Sequence, residues 1–268
     1  MKLPGQFFLS NLIRQRTLLY QLVRRDFENR FVGSVAGWLW GLIHPLVLLL
    51  SWTFVFQICL KAPLPANSVT TNYTMFLICA QLPWLLFQET IARSSTCLQE
   101  QANLITKTVF PSEVIPIAVF LSALISHLLA LSVVVAMCVL WVGQLSAMAV
   151  LLPIYMLLIG LLGVGIGWVV SSLQVYLRDT SQFVNVVLTL WFWLTPIFIT
   201  EELVPENMRF LMRYNPMSYV VNAYRERLLS YRAPDLEELA ILAAFAVTAF
   251  VIGGLFFRHL KRGFADVL

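Results

Sequence analysis

The sequence predicts an all-α membrane protein: six transmembrane helices, an N-terminal amphipathic interfacial helix and an external re-entrant helical hairpin. Three observations predict it. Of 268 residues, 59% are hydrophobic and 12% charged, with a mean hydropathy of +0.80, whereas soluble domains carry about 25% charged residues. Apolar runs recur at lengths that suit a bilayer, which takes roughly 20 residues at 1.5 Å each; the run from Val32 to Leu60 holds no Asp, Glu, Lys or Arg. A basic, helix-prone segment with Arg24, Arg25, Asp26, Glu28 and Arg30 comes directly before that run, separated from it by a hinge at Gly33 and Ser34.

Residues 1–34 therefore read as a cytoplasmic interfacial helix and 35–268 as the transmembrane domain. On a helical wheel Leu12, Leu19, Val23 and Phe27 share a face opposite Arg14, Arg25 and Glu28, while Arg16 and Arg30 fall on the apolar side. The spans are expected at 35–60, 73–92, 114–142, 147–175, 182–200 and 238–257, with kinks at Pro83 and Pro196. The first residues hold too short an apolar run for a cleavable secretion signal. With both termini in the cytoplasm, 12 of the 18 basic residues fall on that side, as the positive-inside rule prefers. The small net charge of +4 gives no ground for nucleic-acid binding.

Two connectors carry information. The inner loop 93–113 is polar but includes Leu104, Ile105, Val109 and Phe110, an apolar patch suited to docking on a partner or to packing on lipid headgroups. The outer loop 201–237 is too long for a plain connector. Asn215-Pro216 divides it into two short helices, read as a hairpin at or dipping into the outer leaflet. In the fourth span Gly163 and Gly167 have the G-x-x-x-G spacing that lets helices approach closely, within one chain or between two. Cys59, Cys79, Cys97 and Cys138 are scattered and read as small buried residues; Cys59 and Cys79 fall near one membrane face, compatible with a disulfide.

Several chemistries lack their motifs. No G-x-x-x-x-G-K-[ST] cradles phosphate, and neither H-E-x-x-H nor G-x-S-x-G is present. No chain of carboxylates crosses the predicted membrane interior, which argues against proton antiport. His44 and His127 lie within spans and read as neutral imidazoles bonded to a neighbouring helix. What remains is aromatic. Trp38, Trp52 and Phe56 fall on one stripe of the first span with Pro45, and Trp191-Phe192-Trp193 faces several directions in the fifth. They read as interfacial bulk or as the wall of a pathway whose ring faces slide along sugar rings.

RRDFENRFVGSVAGWLWGLIHPL, LPWLLFQETIARSS followed by NLITKTVFPSEVIPIA, YLRDTSQFV, LTPIF and YNPMSYVVNAYRERLL together resemble, in order, the permease subunits of ABC-2 type polysaccharide exporters, which handle O-antigen, capsular polysaccharide or teichoic acid. The resemblance implies a homodimer in the bacterial cytoplasmic membrane, joined by two copies of a separate ATPase that binds ATP and Mg. It implies no enzymatic activity or cofactor for this chain, and a lipid-linked glycan as substrate. It implies roles as well. Arg24, Arg25, Asp26 and Arg30 would form the interfacial helix at the cytoplasmic mouth. Glu100, Gln101, Asn103, Leu104, Ile105 and Thr106 would couple to the ATPase. Arg178 and Asp179 would pair at the inner end of the fourth span. Trp38, Trp52, Phe56, Trp191, Phe192 and Trp193 would line the glycan path, the first and fifth spans facing each other across the dimer. Asn215, Pro216, Tyr219, Tyr224 and Arg225 would belong to the external gate. A drug or small-lipid exporter of the same class, or a membrane-bound glycan- or lipid-modifying enzyme, are the competing readings.

Overall fold

The computed structural model describes residues 16–29, 37–61, 64, 68–107, 110–143, 145–198 and 204–268. The described residues are helical or irregular. In chain order the helices are α1 (Arg16–Asn29), α2 (Trp40–Thr53, extended by a π-helical segment Phe54–Cys59), α3 (Tyr73–Glu100), α4 (Ala102–Lys107), α5 (Val114–Met137), α6 (Leu152–Tyr176), α7 (Thr180–Trp193), α8 (Phe210–Arg213), α9 (Pro216–Leu229), α10 (Leu236–Leu260) and α11 (Phe264–Val267). Among the described residues, four helical stretches are long and apolar enough to cross a membrane: Tyr73–Glu100, Val114–Leu140, Ala147–Tyr176 and Leu236–Gly263. A shorter apolar helix covers Pro45–Cys59.

At the centre is α3, packed against α5, α6, α7 and α9. Asn72 caps its start by accepting from the Thr74 and Met75 amides, and the helix continues through Pro83 to Glu100, about 42 Å at 1.5 Å per residue. It thus runs two turns beyond the expected end of the span near residue 92. Its small polar residues Ser94 and Ser95 there are buried. Thr90 and Ser94 are fully buried and meet the positions of Gly163 and Gly167 on α6, where an added Cβ would lie 3.2 Å from Thr90 and 2.8 Å from Ser94. The G-x-x-x-G pair therefore packs helices within one chain. The other face of α6 does the same with α10: a Cβ on Gly253 would sit 2.0 Å from the Gly165 carbonyl oxygen. Two backbones in contact leave room for glycine alone.

The expected fifth span is interrupted. α7 has 14 residues, about 21 Å, and the chain turns at 194–198. Thr195 bonds back to the Trp191 carbonyl, and Pro196 supplies no amide to continue the helix. Residues 199–203, Arg30 and the hinge at Gly33 and Ser34 lie outside the described residues, as do the side chains of Trp38 and His44. All four cysteines are free: Cys59 is exposed and the other three are buried, so Cys59 departs from the buried reading.

The amphipathic face of α1 is real but rotated. Leu22 packs with Val114 and Ala118 at the start of α5, flanked by Leu18, Leu19, Val23 and Phe110. Arg16, expected on the apolar side, is exposed.

Candidate functional site

Side chains expected to act fall at the two ends of α3. At its C-terminal end, Asp26 of α1 accepts from Arg93 at 2.6 Å, Arg93 also lies 3.8 Å from Glu89, and Arg25 donates to Gln101 at the turn into α4. Arg24 pairs within α1 with Glu28 at 2.7 Å, which raises its already high pKa. Helix α4 follows at once. Glu100, Asn103 and Thr106 are exposed and Gln101, Leu104 and Ile105 half-buried. Ile105 packs inward and α11 lies against α4. The apolar patch is thus shared between the chain's own C-terminal segment and the outside.

A buried amide joins this end to α7. Gln174 on α6 donates to the Gln99 side chain and to the Arg178 carbonyl, and its Oε1 accepts from the Ser181 amide at 2.7 Å. Gln99 in turn donates to the Gln174 carbonyl. Arg178 and Asp179 do not form the expected ion pair. Both side chains point to solvent, and the turn is held through the Arg178 backbone instead. Lys261 reaches Glu113, which fixes the segment after α10 to the start of α5.

Towards the other end, the aromatic residues expected on a pathway converge inside one chain. Trp52 stacks on Phe198 at 4.0 Å, meets Phe192 edge-on at 4.8 Å and lies parallel to Trp193 at 6.3 Å. Phe56 stacks on the same Phe198 at 4.6 Å. The consecutive residues of α7 diverge as expected: Trp191 meets Phe87, Phe192 meets Trp84 and Trp52, and Trp193 stays 59% exposed. Phe198, the hub, has no pathway role assigned from the sequence; it stands there only as the last residue of LTPIF.

The residues expected to gate are fasteners in this structure. Asn215, at the start of α9, is buried and fully used. Its Oδ1 accepts from Trp191 Nε1 at 2.8 Å and from the Met217 amide, and its Nδ2 donates to Thr195 Oγ1 and the Leu194 carbonyl. Pro216 opens the helix at the position where a proline costs no hydrogen bond. Buried Arg225 donates to the carbonyls of Phe76 and Ile197, its guanidinium 3.6 Å above the Phe76 ring. Tyr224 is hydrogen-bonded to His127 at 3.1 Å, the interhelical imidazole bond expected of that histidine. Tyr219 donates to the Arg213 carbonyl. Helix α9 therefore begins beside Trp191 and Phe87, halfway along α3, and rises about 15 Å to put Arg225 beside Phe76 near the start of α3.

The model of the ABC-2 type transporter family matches residues 17–229. This chain belongs to that family. The match begins one residue into α1 and ends on the last residue of α9, so the family pattern takes in both ends described above. Relatives extend over nearly the whole chain. The O-antigen export system permease protein RfbA of Klebsiella pneumoniae is 28% identical over 253 residues, 94% of this chain and 95% of its own length. That of Myxococcus xanthus is 27% identical over 260 residues, 96% and 98% of the two chains. The polysialic acid transport protein KpsM of Escherichia coli is 22% identical over 250 residues, 91% and 93%.

Among the described residues, no group of three or more His, Cys, Asp or Glu side chains could hold a metal ion. What the fold assembles is an aromatic junction between α2, α3 and α7, with the start of α9 hydrogen-bonded to the end of α7.

Proposed function

We propose that this chain is the transmembrane permease subunit of an ATP-driven transporter that exports lipid-linked polysaccharide, of the O-antigen kind, across the bacterial cytoplasmic membrane. One observation carries the reading: end-to-end similarity to proteins named as O-antigen export permeases, covering at least 94% of this chain in each of the two cases above. The aromatic junction at Trp52, Phe192, Trp193 and Phe198 supports it, since ring faces contact sugars without hydrogen bonds that would hold them in place.

The functional unit is a homodimer with two copies of a separate ATPase, which binds the ATP and Mg. Region 1–34 lies at the cytoplasmic surface, 35–268 forms the membrane domain, and both termini are cytoplasmic. α4 meets the ATPase. The chain makes six crossings, the fifth completed by α7 with the following turn. The segment 201–237 re-enters from outside; the depth at which α9 starts supports this. ATP closes the ATPase pair, the α4 helices shift, and motion reaches α7 through Gln99 and Gln174. Deleting the gene should leave lipid-linked glycan in the cytoplasm and remove it from the surface, with restoration by the intact copy. Unchanged surface polysaccharide together with new drug sensitivity, or ATP hydrolysis by this chain purified alone, would overturn the assignment.

A further inference from the structure

Two hollows flank α8. One, of about 800 Å³, lies between α8 and α10; Glu206, Arg209, Arg213 and Tyr219 line its sides, and Ile241 and Phe245 its floor. The other, of about 470 Å³, lies between α8 and α7 and is apolar, walled by Val187, Leu190, Leu194 and Leu211. Phe210 and Tyr214 border both. Tyr214 is 74% exposed, so the two hollows form one trough with an aromatic saddle.

The trough is amphipathic, and its polarity runs with depth. Ile241 and Phe245 lie within the first three turns of α10, about 8–14 Å from its start. The apolar part reaches down to Trp191 and Leu194 at the end of α7, beside the middle of α3. The polar hollow is shallow and the apolar cleft deep. That is the orientation of a lipid in the leaflet at this end of the bundle: head outward, chain inward. The polar hollow carries two arginines, Arg209 and Arg213, and one carboxylate, Glu206. Arg209 donates to the Val204 carbonyl and faces Glu206 at 3.9 Å. Aromatic surface with a few polar groups, in a volume typical of ligand sites, suits a polyhydroxylated head.

We infer that this trough is a binding site for a glycolipid, taking its hydrocarbon chain between α7 and α8 and its first sugars between α8 and α10. The inference rests on the export reading, to which it adds a resting place for the substrate after crossing.

The test uses the complete transporter with its ATPase in lipid nanodiscs. The probe is a polyprenyl-pyrophosphate-linked oligosaccharide with a diazirine in the hydrocarbon chain; the comparator is phosphatidylglycerol with a diazirine in an acyl chain. The glycolipid should label peptides spanning 187–194 and 210–214, and unlabelled glycolipid should compete. Tyr214→Ala and Leu190→Ser, both at exposed side chains, should lower labelling about fivefold without loss of complex on size exclusion. Equal labelling by phosphatidylglycerol, or glycolipid labelling confined to other helices, would overturn the site. If cells carrying the unaltered chain still export glycan, that result removes the trough and leaves the export reading standing. If export is absent as well, the export reading falls with it.

Discussion

At one end of this molecule α1 is held by charged side chains that keep contact with water; at the other α9 is held by polar side chains that have lost it. Asp26 and Arg93 remain about a quarter exposed, and Arg24 and Glu28 more than half. Asn215 and Arg225 are 6% and 3% exposed, and their partners include the backbone carbonyls of Leu194, Phe76 and Ile197. Separating a hydrated ion pair costs little, since water replaces the lost partner. Separating a buried donor from a carbonyl leaves both without one. The first end, whose ion pairs are partly exposed, is the easier of the two to shift against the bundle, while the end of α7 and the start of α9 behave as one body. In the proposed transporter this places compliance where a motor subunit would push and stiffness where the path would open.

The largest expected effect follows from the stiff end. Arg225→Met keeps the length of the side chain and removes the donors to Phe76 and Ile197, leaving two buried carbonyls. The expected loss is about 3 kcal/mol, from two charge-assisted bonds. It is measured as a lower midpoint for loss of monodisperse protein on heating in detergent. Arg225→Lys keeps the charge but not the fork and should fall between. Asn215→Ala removes the α9 cap and the partner of Trp191, and should cost about 2 kcal/mol. Heat stability unchanged in both variants would mean that α9 is not bolted to α7, and the contrast between the ends would dissolve.

The sequence revealed most helices because lipid-length apolar runs advertise themselves. It hid the last two turns of α3, since Thr90, Ser94 and Ser95 are polar for their small size, not for solvation. Thr90 and Ser94 fit against glycines of α6, and Ser95 bonds back to the Ala92 carbonyl. It hid the early end of α7 because the run stays apolar through the turn at 194–198. At the candidate site, the meeting of Trp52 with α7 was expected, though across a dimer, and the contact exists within one chain. For Asn215, Tyr224 and Arg225 the resemblance implies an external gate, and what the sequence does not show is that each is buried with its partners arranged around it. A one-dimensional reading prices a polar side chain as if it were wet, and only packing shows which ones are dry.

An intermediate effect belongs to α4. Leu104 is half-buried beside the exposed Asn103 and Thr106, on a helix braced from behind by Ile105 and α11. Leu104→Asp places a charge on the outward part of that patch. It should weaken association with the ATPase at least about tenfold if this helix is the contact, read by co-purification, while the thermal midpoint of the chain alone changes little. Retained association would move the docking surface elsewhere on this end.

The smallest effects discriminate most finely, because Asp26 and Glu28 sit two residues apart on one helix. Among the described residues Glu28 pairs with Arg24 alone, in the open, so Glu28→Gln should change stability by less than about 0.5 kcal/mol, and less still in high salt. Asp26 reaches across to Arg93, itself packed between α1 and α3 near Glu89. Asp26→Asn should cost about 1 kcal/mol and loosen α1, seen as faster amide exchange over residues 16–29. The difference is set by where the partner lies, since the two carboxylates have the same charge on the same helix. Equal exchange in the two variants would show that α1 is held by Leu22 and its apolar neighbours alone, and that the charges at this end fasten nothing.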